Sequence, residues 1–461
     1  MKIFLIAALS LTLGTTSLSA QINFAAIQNQ HSHSLASSQL PSLLGDDVKH
    51  AELFFLAPHF GFGNNMITAN DLTQLSKEGK LSNQYIDDLL QKMPKQGNIW
   101  LGMDVPVLNL FFNVRRKKEP FLSMGLGIRE KMDANFSLNK DFFSLLYKGN
   151  KQFENRSVNL SPSLNMMLYN EYFFAIAGQF TTRNLIPSMK NNIVIKPAVR
   201  VRYLNGIMGI DMPTSKINMY TAPEGRYIDF TTDMTLNMAS AIDTLDIGEN
   251  TNSELGLGNF KAAGSGLGVD IGIGLELLEN LRLNLGVVDV GGINFNRNVI
   301  NYTKKDKYRY EGVTLNEDGE MMELADFETL LQPNKTYHSF KQSLPTRFLI
   351  HANYGLIKKE RRKVSYFAHN FSVAYVQGFK NYLSSTRAPA LHLGYAYNLA
   401  NYVNAGINVT AGGVNKFQAG AMLGIRVLVF KLGIASNNLL PLFYSKAGSG
   451  TDASFYFGLY F

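Results

Sequence analysis

Cysteine is absent from all 461 residues, so no disulfide staples this chain and its stability must come from hydrogen-bond ladders and burial. The same absence removes the lipid-anchored alternative for an exported chain, which needs a cysteine at its new N-terminus. Long apolar runs are also missing. Beyond the first twenty residues nothing approaches the ~18 consecutive apolar residues that a membrane-crossing helix needs, which excludes a polytopic helical protein. Charge is sparse and scattered. The formal net charge is +8, and basic residues cluster only at Arg115-Arg116-Lys117-Lys118 and Lys358-Lys359-Glu360-Arg361-Arg362-Lys363. Both clusters lie between strand-like runs and read as solvated turns, able to lie against lipid phosphates, rather than as a stripe for nucleic acid.

Linear signatures of chemistry are missing too. None of the eight histidines, His31, His33, His50, His59, His338, His351, His369 and His392, forms the i, i+4 pair with an intervening glutamate that a zinc hydrolase uses. His31 and His33 could hold a metal as a pair, but their place in a polar, low-complexity stretch disfavours that reading. There is no nucleophile elbow and no phosphate-cradling loop, and the glycines of Gly125-Leu126-Gly127 and Gly266-Leu267-Gly268 belong to strands. The reading is therefore no enzyme, no cofactor and no metal.

What is present begins with an export signal. Lys2 is followed by the apolar run Ile3–Leu9 and the small-residue site Ser17-Leu18-Ser19-Ala20, so residues 1–20 read as a Sec signal peptide cleaved between Ala20 and Gln21. Residues 21–50 are polar and read as a flexible segment or one tucked into a lumen. Residues 51–461 read as one domain.

That domain is dominated by period-two alternation, which puts every second side chain on one face of a strand. Leu267, Val269, Ile271, Ile273, Leu275 and Leu277 alternate with Gly266, Gly268, Asp270, Gly272, Gly274 and Glu276. After a turn at Glu279-Asn280, Leu281, Leu283, Leu285 and Val287 alternate with Arg282, Asn284 and Gly286. One face is aliphatic and the other is glycine and charge. A soluble sandwich could bury the aliphatic face against a second sheet, but strand glycines weaken a water-facing surface for no gain. They suit the crowded interior of a barrel whose greasy face points at lipid, and the chain has 39 of them. Arg200, Arg202, Asp270, Glu276 and Arg282 then face the lumen, as an electrostatic ladder in preference to a polar pathway.

The pattern recurs through Leu108–Val114, Leu122–Ile128, Val199–Tyr203, Leu391–Tyr397 and Val403–Val409, giving roughly fourteen strands joined as hairpins, each near the ~9–11 residues that cross a bilayer at a tilt. The chain ends with Phe455, Phe457, Leu459 and Phe461 on one face, like the terminal strand read by barrel-assembly machinery. Pro197 interrupts a strand-like run and calls for a bulge or a strand start. Ser82 reads as the cap of a helix ending at Pro94, Asn139 as the cap of a second ending at Gly149, and 321–331 as a third. Such apolar helices belong in the lumen or over its mouth. Long insertions near 243–263 and 303–343 contrast with tight turns elsewhere, as when short turns face the periplasm and long loops face outward.

Four stretches also carry a resemblance: Phe143-Ser144-Leu145-Leu146-Tyr147-Lys148-Gly149-Asn150, the run Gly266–Gly272, Leu344-Pro345-Thr346-Arg347-Phe348, and the terminal strand. With their spacing they resemble a Bacteroidota outer-membrane family of unknown function, numbered 5723 among such families and allied to PorV and more loosely to FadL. The resemblance implies an all-β, transmembrane antiparallel up-and-down barrel of about fourteen strands with short helices and an N-terminal segment able to plug it. It implies outer-membrane lipid and the assembly machinery as partners. It leaves two roles open: passage of small molecules, hydrophobic ones included, or docking of a secreted protein partner in the manner of PorV. It transfers no ligand-binding residue.

Overall fold

The computed structural model describes residues 23–46, 48, 50–66, 68, 70–71, 83–116, 119–182, 193–241, 262–311, 333–361, 364–413, 417–444 and 450–461. The junction at Ala20 and Gln21, the cap at Ser82 and the helix at 321–331 lie outside the described residues.

Among the described residues, fourteen strands form the wall. The first, β1, comes in two pieces, Ala51–Phe55 and His59–Asn64. It is followed by β2 (Gln96–Arg116), β3 (Glu119–Asn139), β4 (Ser163–Gly178), β5 (Ile193–Thr221), β6 (Gly264–Leu278) and β7 (Leu281–Phe295). The second half comprises β8 (Arg347–Arg361), β9 (Val364–Gly378), β10 (Ala390–Leu399), β11 (Val403–Gly412), β12 (Phe417–Val427), β13 (Phe430–Ser436) and β14 (Gly450–Tyr460). Each pairs antiparallel with the next. The cylinder closes where β14 pairs with β1, Leu53 opposite Leu459 and His59 opposite Ser454. Closure leaves the wall without a free edge, so every wall strand has a ladder on both sides.

The alternation read from the sequence is the alternation of the wall. Leu267 and Ile271 of β6 point outward, 64% and 57% exposed, as does Ile407 of β11, 64% exposed, while Asp270 beside Ile271 is fully buried inside. Val199, Val201 and Tyr203 face out beside Arg200 and Arg202, which face in. At the chain's end Phe455 and Phe461 lie on the outer surface, and the Phe461 amide donates to Ala51 O at 2.9 Å, tying the last residue to the first wall strand. A belt of exposed aliphatic and aromatic side chains around a closed cylinder is solvated by hydrocarbon at far lower cost than by water. Ile271→Arg, at the middle of β6, is accordingly expected to cost about 2–4 kcal/mol of folding free energy in phospholipid vesicles. An exposed site of a water-solvated barrel would change by no more than about 0.5 kcal/mol, so chemical unfolding of the variant in vesicles discriminates.

Connections differ at the two ends. Glu279-Asn280 and residues 400–402 are tight turns at the end that also holds Phe461, whereas 65–95, 296–346 and 379–389 connect strands at the other. At that long-loop end β5 runs past the wall. Its distal half pairs with Ile228–Ser240, which pairs in turn with Val299–Tyr310, forming a sheet beyond the cylinder. The helix expected after Asn139 is there. It spans Lys140–Lys148, the Asn139 side chain accepts from the Asp141 amide at 3.1 Å, and Gly149 ends it with φ 71°. It lays Phe142 and Leu145 on Phe153, Val158, Leu160 and Met219 of the projecting sheet, so it sits against that sheet and not inside the lumen.

Pro197 needs neither the bulge nor the strand start expected of it. It stays in register opposite Ile273 of β6. On its other side the ladder with β4 runs to the pair Ala177–Ala198 and resumes as Phe180–Ile195. The missing N–H falls where the neighbouring strand is itself interrupted at Gln179, whose amide turns to Phe121 O at 2.8 Å.

Candidate functional site: a filled lumen

The polar N-terminal stretch is inside the barrel. Helices α1 (Phe24–Gln28) and α2 (His33–Ala36), the turns that follow to Asp46, and Val48 are almost wholly buried. They are held by side chains that the wall points inward. Asn437 Oδ1 accepts from the Ala25 amide at 2.9 Å, Gln28 donates to Ile407 O at 3.1 Å and Asn29 donates to the Tyr456 hydroxyl at 3.0 Å. Asn398 donates to Gln30 at 2.9 Å, Ser42 to Asn284 at 2.9 Å and Ser34 to Glu52 at 2.5 Å. Apolar side chains do the rest: Leu35 and Leu44 pack with Phe54, Phe111 and Phe173, and Ile27 and Leu40 with Val288 and Leu349.

This filling explains the strand glycines more sharply than interior taper does. A Cβ at Gly272 would lie 3.2 Å from the Ser42 nitrogen, one at Gly286 3.2 Å from a Leu40 methyl, one at Gly394 2.8 Å from the Gln28 side chain and one at Gly424 2.6 Å from Asn29. The wall is thinned where the inner segment touches it.

Toward the long-loop end lies a buried charge cluster. Arg202 bonds Glu171 at 3.1 Å, Asp289 at 2.9 Å and Asp270 at 2.7 Å. Arg200 pairs with Glu171 and stacks its guanidinium 4.1 Å over the Phe173 ring. Arg347 pairs with Asp289, Lys131 approaches Asp289 at 3.6 Å, and Arg129 grips Asp104 through two bonds of 3.0 and 2.6 Å. Of the residues singled out in the sequence, Arg200, Arg202 and Asp270 belong to this cluster. Glu276 and Arg282 do not. They pair with each other at 3.2 Å near the short-turn end, half-exposed, with Arg282 3.7 Å from Asp46 of the inner segment. Sequence reading missed Glu171, Asp289, Lys131, Arg129 and Arg347. The available signal was an acid amid apolar neighbours, as in Val288-Asp289-Val290, where Asp289 sits at φ 58° in a bulge.

Asp46 also pairs with Lys196. Burial pushes its carboxyl up, but Lys196 foremost, then Arg282 and His33, outweigh that, and the group is held below its ordinary value. A carboxylate depressed in the folded state contributes stability above its unfolded pKa, roughly 4, and loses it as pH falls through the folded value. Acidification below about pH 4 is therefore expected to loosen the turn at Asp46, seen as faster amide exchange at residues 43–46, and Asp46→Asn should remove that pH dependence.

A second feature is a break in the wall. β1 stops at Leu56-Ala57-Pro58, with Leu56 at φ 42°, opposite Pro106 of β2, itself next to a register shift. Three backbone bonds still span the kink: Leu56 N to Val107 O, 3.2 Å; Ala57 N to Pro106 O, 3.0 Å; and Phe455 N to Pro58 O, 3.0 Å. Behind it a small cleft reaches from Asn23 and Leu35 of the inner segment, past His59, Asp104 and Arg129, to Phe455 on the wall. Among the described residues no group of three or more histidine, aspartate or glutamate side chains is arranged to hold a metal ion. The acids of the charge cluster are already engaged by arginine.

Solved structures with a similar course of chain include the toluene transporter TodX of Pseudomonas putida, at 10% identity over 97% of this chain and 96% of that one, TM-score 0.40. The toluene transporter TbuX of Ralstonia pickettii matches at 8% identity over 97% and 96%, TM-score 0.39. The monoaromatic hydrocarbon channel CymD matches at 7% over 97% and 95%, TM-score 0.33. No curated protein matches the sequence. The model of a family of unknown function, DUF5723, matches residues 41–437, and this chain belongs to that family.

Proposed function

We propose that this chain is an outer-membrane barrel, exported by the Sec route with cleavage between Ala20 and Gln21, that passes small molecules, hydrophobic ones included, and carries out no catalysis. The observation that carries this reading is the cleft joining the inner segment to the break in β1. It has luminal polar groups at one end and Phe455 of the apolar wall at the other, so a small apolar solute could move between lumen and lipid without crossing a full ladder. The aromatic terminal strand, Phe455, Phe457, Leu459 and Phe461, supports assembly by the machinery that inserts such barrels, with outer-membrane lipid as the surrounding partner. The test is uptake of a small aromatic hydrocarbon by vesicles holding the purified protein: a rate indistinguishable from empty vesicles sinks the proposal.

The sheet beyond the wall favours a second reading, a docking platform for a secreted protein in the manner of PorV. Detergent extracts of native membranes, cross-linked before purification, distinguish the two, since recovery of the barrel alone counts against docking.

A further inference from the structure

The two sides of the lumen differ in chemistry. Most of the luminal ion pairs lie on β2 to β8, with a further one between Lys431 of β13 and Glu52 of β1, whereas β10 and β11 contain no lysine, arginine, aspartate or glutamate at all. Facing α1, β9 to β12 present Ser372, His392, Asn404, Asn408 and Gln418, each at least nine-tenths buried. Much of their hydrogen-bonding capacity has no partner among the described residues. His392 engages Thr410 through Nδ1 at 2.8 Å, but its Nε2 is unpaired, as are both amide atoms of Asn404, Oδ1 of Asn408, Nε2 of Gln418, Oγ of Ser372 and, from α1, Oε1 of Gln28. Buried polar groups of this kind ordinarily find partners, and here donors and acceptors stand open together along one seam.

At the long-loop end the seam meets a small cleft lined by Phe24, Val376, Ser384, Thr386, Ala390 and Arg347, whose charge is answered by Asp289. The Phe24 ring stacks on the His392 ring, centroids 4.3 Å apart and 17° from parallel. We infer that the seam between α1 and strands β9 to β12 binds and conducts small uncharged hydrogen-bonding solutes of the polyol class, with Phe24 as its stopper. A hydroxyl both donates and accepts, so a polyol satisfies the mixed set of open atoms. A hydrocarbon would leave them unpaired, and an ion would find no counter-charge along β10 and β11. On the opposite side the inner segment is held by apolar packing around Phe54 and Phe111 and by the Asp46–Lys196 pair, whereas on the amide side it is tied by the Gln28–Ile407 and Asn398–Gln30 hydrogen bonds, which the hydroxyls of a polyol can replace. This path is separate from the cleft at the β1 break.

Iso-osmotic swelling of vesicles holding the full-length protein tests the inference, with glycerol and arabinose as uncharged probes and glutamate as a charged one. Phe24→Ala removes one stacked contact and should speed polyol entry by up to about tenfold while leaving glutamate unchanged. Adding Asn404→Leu and Asn408→Leu should abolish the gain. No gain for polyols, or an equal gain for glutamate, overturns the inference. A measurement on the unmodified protein stands apart from any folding defect. Met422 is buried on the inner face of β12 against Gly406, and hydroxyl-radical labelling should oxidise it several-fold faster than Met167, which is buried in the apolar cluster at the long-loop end. Equal protection of both overturns the inference. Hydrocarbon uptake in the same vesicles bears only on the lateral cleft, so either idea can fail without the other.

Discussion

Glu171→Leu is expected to destabilise the folded barrel by about 3–5 kcal/mol, the usual cost of removing one partner from a buried ion pair. Glu171 is fully buried on β4 and answers two guanidinium groups projected by the same stretch of β5, Arg200 and Arg202. Arg202 keeps Asp270 and Asp289 when the glutamate is gone, whereas Arg200 is left with Asp270 at 4.0 Å and the face of Phe173. The penalty thus falls mainly on Arg200. It follows that Glu171→Leu combined with Arg200→Leu should recover most of the loss, since exchanging a whole buried pair for apolar side chains is often neutral or stabilising by about 1–4 kcal/mol. Urea unfolding in vesicles, arranged as a double-mutant cycle, measures both outcomes. A single variant within about 1 kcal/mol of the unmodified protein, or a double variant worse than the single, would sink the idea that this cluster braces the lumen.

The wall was legible because its signal is local. Leu267 to Leu277 and Val403 to Val409 alternate within single strands, and lipid on one side with a filled lumen on the other enforces that alternation at every residue. Asn139 and Gly149 delimit their helix for an equally local reason. The lumen was legible only in part, because what meets inside a barrel comes from strands far apart in sequence. Arg202 could be placed on an inner face from its neighbours Val201 and Tyr203, yet nothing in that stretch indicates that its partners are Glu171, Asp270 and Asp289. Likewise Gly272, Gly286 and Gly394 are visible as strand glycines, but the reason for each is a specific atom of residues 28–42 that the sequence does not place opposite it. Pro197 illustrates the same limit: the fault it introduces is answered at Gln179, on another strand.

The filled lumen sets the largest functional expectation. If solutes pass only when the inner segment shifts, fixing that segment to the wall should abolish passage, and the absence of native cysteine makes the experiment clean. An ideal Cβ at Gly274 of β6 would lie 3.3 Å from Cβ of Ser42, close to the ~3.5–4.5 Å that a disulfide spans. Ser42→Cys with Gly274→Cys should therefore join the turn after α2 to the wall on oxidation, at the cost of the Ser42–Asn284 bond and of a small shift of Asn284, whose Oδ1 would lie 3.0 Å from the new Cβ. Vesicles holding the oxidised protein are expected to take up the hydrocarbon probe at the rate of empty vesicles, and addition of reductant should restore uptake to that of the unmodified chain. Deleting residues 23–48 would be a poorer experiment, because Leu35, Leu40 and Leu44 are core to both apolar clusters and their loss would confuse opening with unfolding. Unchanged uptake across oxidation would mean that β6 and the turn at Ser42 can stay joined while solute passes. Movement would then be confined to α1, on the amide side of the lumen.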